Sequence, residues 1–234
     1  MLEDYVVVDL ELTGLHVKTD RILEIGAVKV EHGVETEIFH RLINPGISLS
    51  AEITELTGIT DEMAKGGCSG EDAVSAFLAF AEGYPFVGHN VLFDYRFLKR
   101  AAVNQGILLE KSGADTWKLS QKFLPEAEKK TLDYLCSYLK IPRAQSHRAL
   151  EDAKATAELF RYLKERFGAS EPEAFEAKPL ACKVKKQTPA SPRQIKRLIE
   201  LAQWHNIELT LDLDQLTKSE ASRLADKILS GAMG

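Results

Sequence analysis

The spacing of hydrophobic and polar positions changes several times along the chain. YVVVDLEL, Tyr5 to Leu12, is almost continuously apolar and predicts a buried strand. RILEIGAVKVE, Arg21 to Glu31, and Val34 to Leu42 predict two more strands joined by a short turn at Gly33, which makes the sheet partly antiparallel. After NPG the period lengthens. SAEITELTGIT predicts a short helix followed by Gly58, and Glu71 to Ala81 predicts a second helix. PFVGHN reads as a buried strand entering a turn. Val91 to Asn104, Leu132 to Leu139 and Arg148 to Phe167 read as helices, the last with Ser146 as its cap. Alternating strands and helices of this kind define an α/β protein.

Four acids break these patterns. Asp9 and Glu11 are two residues apart in the first strand, so their carboxylates share one face while Leu10 and Leu12 take the other. Asp94 lies on the apolar stripe of its helix with Val91, Phe97, Leu98 and Ala101, and Asp152 on that of the long helix with Ala149, Leu159, Phe160 and Leu163. A single acid in such a place is commonly a cap or a solvated residue. Four inward acids, if they converge at one end of the sheet, repel one another by several kcal/mol unless a cation compensates. An all-oxygen set favours Mg²⁺ or Mn²⁺ over zinc. His147 stands five residues before Asp152. On a continuous helix the two would be about 140° apart, so the turn preceding the helix suits His147 better. From there its imidazole can overhang the acids, and histidine is the side chain best suited to act as a general base near neutral pH. His89 reads as structural or supporting.

Composition adds limits and a second region. No apolar run reaches the roughly 20 residues that span a bilayer, and MLEDYVVVD lacks the features of a signal peptide, so a cytoplasmic protein with no membrane partner is expected. The three cysteines, Cys68, Cys136 and Cys182, form no C-x-x-C pair. The net charge of −5 is uneven: residues 1–177 carry 20 Lys/Arg against 29 Asp/Glu, and residues 178–234 carry 10 against 6. Between Lys178 and Arg197 there are seven basic residues and no acid, interrupted by three prolines. Three regions follow: 1–168, a basic flexible linker over 169–188, and a small helical module over 189–234 with Pro192 in the first turn of one helix and Thr217 or Ser219 capping another. The module is too short to bury much by itself.

DLELTG, GHNVLFD and HRALEDA together resemble the three motifs of the DEDD-superfamily exonucleases, in the version of the His subclass. That family includes the proofreading epsilon subunit of bacterial DNA polymerase III and the exonuclease domain of the Gram-positive replicative polymerase. ITELTGIT, between the first two motifs, resembles the same group. The likeness covers roughly residues 4–168. The sister subclass carries a Tyr four residues before the last Asp, where this chain has Arg148.

The resemblance implies a ribonuclease H-like fold, a five-stranded mixed sheet flanked by helices. It implies a 3′–5′ exonuclease that releases nucleoside 5′-monophosphates from single-stranded or frayed DNA ends, in proofreading or repair. Two metal ions, Mg²⁺ or Mn²⁺, would be held by Asp9, Glu11, Asp94 and Asp152, with His147 as the general base. Leu12, Thr13 and Leu15 would contact the terminal nucleotide, with Asn90 and Phe93 nearby. An RNA exonuclease on the same fold is the nearest alternative. A non-catalytic binding protein would be expected to lack one of these acids or the His, and none is missing. With no polymerase segment between Gly168 and Gly234, a replicative role implies a separate polymerase or other protein partner, reached through the helical module. The basic tail itself fits a DNA tether or a solvated linker.

Overall fold

The computed structural model describes residues 1–209 and 211–231, so the last three residues of the helical module lie outside the described residues. Six strands form one mixed sheet in the order β3-β2-β1-β4-β5-β6. β1 (Tyr5–Leu12), β2 (Ile22–Glu31) and β3 (Val34–Leu42) are antiparallel neighbours. β4 (Phe86–Gly88) and β5 (Ser112–Asp115) run parallel to β1, and β6 (Lys178–Pro179) closes the edge antiparallel to β5. The first five strands form the expected mixed sheet. The sixth comes from the segment expected to be a flexible linker.

Both faces of β1 are covered, which is why its sequence is nearly all apolar. Val6, Val8, Leu10 and Leu12 enter one core with α3 (Gly70–Phe80) and α4 (Val91–Asn104). Tyr5 and Val7 enter the other with α5 (Thr116–Phe123), α6 (Leu132–Leu139) and α7 (Ala149–Phe167). Ahead of these in the chain lie α1 (Ala51–Thr57), which ends at a left-handed Gly58, and α2 (Asp61–Lys65). Capping of α7 differs from the expectation. Its N-cap is Arg148, without a side-chain cap bond, because His147 takes a left-handed turn (φ 57°) that carries Ser146 out of position.

The segment 169–188 is packed rather than free. A short 3₁₀ turn, Pro172–Phe175, buries Phe175 completely, with its ring stacked on Phe123 at 5.5 Å between centroids. Leu180 is buried and its N–H bonds to the Lys111 carbonyl at 2.9 Å. Beyond it, Lys183, Lys185 and Lys186 remain exposed while Cys182 and Val184 turn inward. α8 (Pro192–Trp204) and α9 (Lys218–Leu229) each begin with a capping box, from Ser191 and Thr217. They pack together around Leu198, Ala202, Leu216, Ala221 and Ile228.

Candidate active site

β1, β4 and β5 are parallel, so their C-terminal ends share one edge of the sheet, and the acids gather there. Asp9 and Glu11 lie on the face of β1 that α7 covers. A bulge between Glu11 and Leu12 shifts the pairing with β2, so that Leu12 faces Ile22 and Leu23 is skipped. Asp94 comes from the first turn of α4, where the left-handed Asn90 (φ 70°) starts the helix and hands its N–H to Asp115 Oδ1 at 2.9 Å. Asp152 comes from the first turn of α7. One ligand atom each from Glu11, His147 and Asp152 lies within 4.8 Å of the others. Glu11, Asp94 and Asp152 are buried, and Asp9 and His147 are partly exposed.

Two residues that sequence patterning does not single out bring α7 this close. Gly26, opposite Asp9 in the ladder, has no room for a side chain: a Cβ would stand 2.1 Å from the carbonyl carbon of Ala149 and the nitrogen of Leu150. Glu24, opposite Glu11, is fully buried and accepts from Arg148 Nη2 at 2.7 Å and from the Ala149 N–H at 2.9 Å, with His40 Nε2 2.7 Å away. Burial alone would raise the Glu24 pKa, but these hydrogen bonds hold it below its ordinary value. A strand residue thus supplies the anionic cap of α7 and secures the strained backbone before it. The sequence carries a signal for this role, since Glu24 is in phase with Gly26, Val28 and Val30 on the α7 side.

Burial, reinforced by mutual repulsion, raises the acids of the site. Burial and then the neighbouring Asp94, Asp152 and Glu11 push the Asp9 pKa well above the usual carboxylate range. Burial, with Asp152, Glu24 and Asp94, takes Glu11 to about 8. Burial takes Asp94 to about 7 even though the N–H groups of Asp94 and Leu10 favour its charged form. Asp152 is also raised by burial, against the pull of Arg143. Arg143 is the one strong cation in contact with these acids among the described residues. Its Nε bonds Asp152 at 2.7 Å, and its other nitrogens reach Asp152 and Asp133. This guanidinium occupies the place of a cation, and the hard oxygen donors around it suit a divalent metal such as Mg²⁺ or Mn²⁺. The residues present therefore fit the implied metals.

These shifts set a pH dependence. Glu11 and Asp94 keep protons in the folded state that the unfolded chain gives up near 4.5 and 3.8. Without metal, stability is therefore greatest at low pH within this window. It is expected to fall as pH rises from about 4 toward about 8. Thermal melting in EDTA across that range checks it; a flat profile, or one rising with pH, would contradict the repulsive cluster.

The expected nucleotide contacts meet different fates. Leu15 is 76% exposed, free to meet a base. Leu12 is buried in the core, leaving only its backbone for a ligand. The Thr13 N–H is committed to the Arg21 carbonyl at 2.9 Å, so its hydroxyl proton is what remains to donate. Asn90 is exposed, and Phe93 packs edge-on against Phe97. His89 is structural, with ring nitrogens at 2.9 Å from Thr116 Oγ1 and 2.7 Å from the Lys130 carbonyl.

A mixed sheet flanked by helices, with four carboxylates and an imidazole at the ends of its parallel strands, defines a hydrolase of the ribonuclease H-like class. The family model described as Exonuclease matches residues 6–160, and the chain belongs to that family of 3′–5′ exonucleases, divalent-metal-dependent hydrolases. Among curated relatives, a DNA polymerase III PolC-type of Caldanaerobacter subterraneus subsp. tengcongensis is 40% identical over 157 residues, 67% of this chain and 11% of that protein. Another, of Lacticaseibacillus paracasei, is 32% identical over 247 aligned residues, 98% of this chain and 17% of that protein. The chain thus spans only a small part of these relatives' lengths. Solved structures with the same fold include exonuclease X in complex with 5′ overhanging duplex DNA (TM-score 0.56, 22% identity, 70% of this chain and 93% of that one). Exonuclease I of E. coli in complex with a dT13 oligonucleotide gives a TM-score of 0.65 at 16% identity, over 74% of this chain and 43% of that one. No helix among the described residues is long and apolar enough to cross a membrane.

Proposed function

We propose that this exonuclease shortens DNA from its 3′ end, single-stranded or frayed, and releases nucleoside 5′-monophosphates in proofreading or repair. The observation that carries the proposal is the convergence of Asp9, Glu11, Asp94, Asp152 and His147 at one edge of the sheet, with raised carboxylate pKa values. DNA is favoured over RNA because the PolC-type relatives are DNA polymerases and the exonuclease X and I structures hold DNA.

Asp9, Glu11 and Asp152 would hold one divalent cation, and Asp9 with Asp94 the other, the latter carboxylate acting through water. Two such cations would supply a more acidic attacking water and a screen for the charge on the departing 3′ oxygen. His147 takes the proton as the water oxygen bonds to phosphorus and the bond from phosphorus to the 3′ oxygen breaks; that oxygen is reprotonated from solvent. Leu15 packs on the terminal base and the Thr13 hydroxyl donates to the terminal nucleotide. Arg143 must leave Asp152, at least in part, for the carboxylate to hold a cation.

The test is hydrolysis of 5′-labelled DNA and RNA oligonucleotides of one sequence by the purified chain, in Mg²⁺, Mn²⁺ and EDTA. A metal-dependent ladder shortening from the 3′ end of DNA is expected. Faster degradation of RNA would move the substrate class. Full activity in EDTA, or cleavage of circular DNA, would overturn the proposal.

A further inference from the structure

The loop between β1 and β2, residues 13–21, carries Thr13 and Leu15 and is tied at its base by Thr13 N–H to the Arg21 carbonyl and Arg21 N–H to Thr13 Oγ1, both 2.9 Å. Inside it, Asp20 is buried and accepts from the His16 N–H at 2.7 Å. Beneath it, Arg100 of α4 donates to the carbonyls of Val17 and, at 2.5 Å, Asp20. The remaining grip comes from far along the chain. Glu220 of α9 accepts from Arg21 Nε at 2.9 Å with one oxygen, while its other oxygen accepts from the Thr217 N–H at 2.8 Å and caps the helix. Arg223, one turn on, donates to Thr19 Oγ1 and, at 3.3 Å, to Asp20 Oδ1. Gln187 donates to the Lys18 carbonyl at 2.6 Å and exchanges two hydrogen bonds with Asn104 of α4.

We propose that the α8–α9 pair is a positioning element for this loop, acting through Glu220 and Arg223. The proposal rests on the reading above that the loop meets the 3′ terminal nucleotide. Ordering a residue costs backbone entropy, and a loop ordered before the substrate arrives spares the substrate that cost. Every tie named from this region to the loop falls on Lys18, Thr19, Asp20 or Arg21, and Leu15 is left exposed at the tip. The Glu220–Arg21 pair is largely shielded, with side chains 11% and 19% exposed, so it is less screened than a surface pair. Through Arg21 it sits one residue link away from the Thr13 hydroxyl, whose oxygen the Arg21 N–H holds. The small module, which buries little alone, gains the same contacts in return.

The experiment uses the full chain with Glu220→Gln, which keeps an acceptor for the cap, Arg223→Met, and both together. The double variant is expected to raise KM for single-stranded DNA about tenfold with kcat nearly unchanged, the signature of lost preorganisation. Amide hydrogen exchange of residues 14–20 should become faster, and Arg223→Lys should recover part of both effects. Replacing Lys183, Lys185 and Lys186 together by Gln should leave loop exchange unaltered, which separates bracing from electrostatic tethering. Unchanged KM and unchanged loop exchange in the double variant would overturn the proposal. So would a KM effect with unchanged loop exchange. Exchange needs no turnover. If the native chain hydrolysed no nucleic acid while the double variant still loosened the loop, the functional reading would fall and the mechanical coupling would stand.

Discussion

Asp9→Ala and Asp152→Ala are each expected to lower DNA hydrolysis roughly 10³-fold or more, since each removes a carboxylate that would hold a cation contributing several kcal/mol of charge stabilisation. The two should part company in stability. Asp9 is held by neighbouring negative charge and burial, so its removal relieves the metal-free fold and should raise its melting temperature. Asp152 is the partner of the Arg143 guanidinium, and its removal leaves that largely buried cation with Asp133 alone. Asp152→Ala should therefore melt no higher than the native chain. Single-turnover hydrolysis in Mg²⁺ and thermal melting in EDTA measure both effects. Native hydrolysis by Asp9→Ala would sink the metal-binding assignment.

His147→Ala is expected to cut turnover by roughly 10² to 10⁴, the usual weight of a general base, while DNA binding stays close to native. Alanine is less at home than His in the left-handed conformation of this position. His147→Asn serves as the companion, because Asn tolerates φ 57° and cannot act as a base. If Asn restored turnover, the imidazole would be a structural group and the proton would leave by another route. Equal losses in both variants, with unchanged binding, would support proton transfer at His147.

Much of this architecture is legible in the order of residues alone. β1, α4 and α6 begin and end where their periodicity does, because each has an apolar stripe or run facing a core, and β3, which buries only Phe39, does so because it pairs with β2 along its whole length. β5 is invisible: SGAD has one apolar side chain, and Gly113 is required because a Cβ there would stand 2.5 Å from the Phe86 carbonyl oxygen. α5 follows it without a long enough pattern to stand out, and its cap, Asp115, is also the acceptor for the Asn90 N–H. In the site, the acids are legible as charges on apolar faces. Arg143 is not, since its partner lies nine residues away and only the tertiary fold unites them, and Glu24 shows only as an acid in phase with Val28 and Val30, its partners on α7 lying about 125 residues away. The tail misleads for the same reason. Isolated Phe175 and Leu180 give no period, yet each fills a place the sheet leaves open.

The stacked ring of Phe175 bears on where this enzyme could be cut from, or spliced into, another protein. The match to the Exonuclease family model ends at residue 160, and α7 ends at Phe167. A cassette ending there would carry bare Phe123, Phe160 and Phe167 rings, all of which pack against or beside Phe175. Its surface would invite self-association during expression. The portable unit extends at least through Leu180, and a graft that respects this boundary would bring its own seal for the sheet edge.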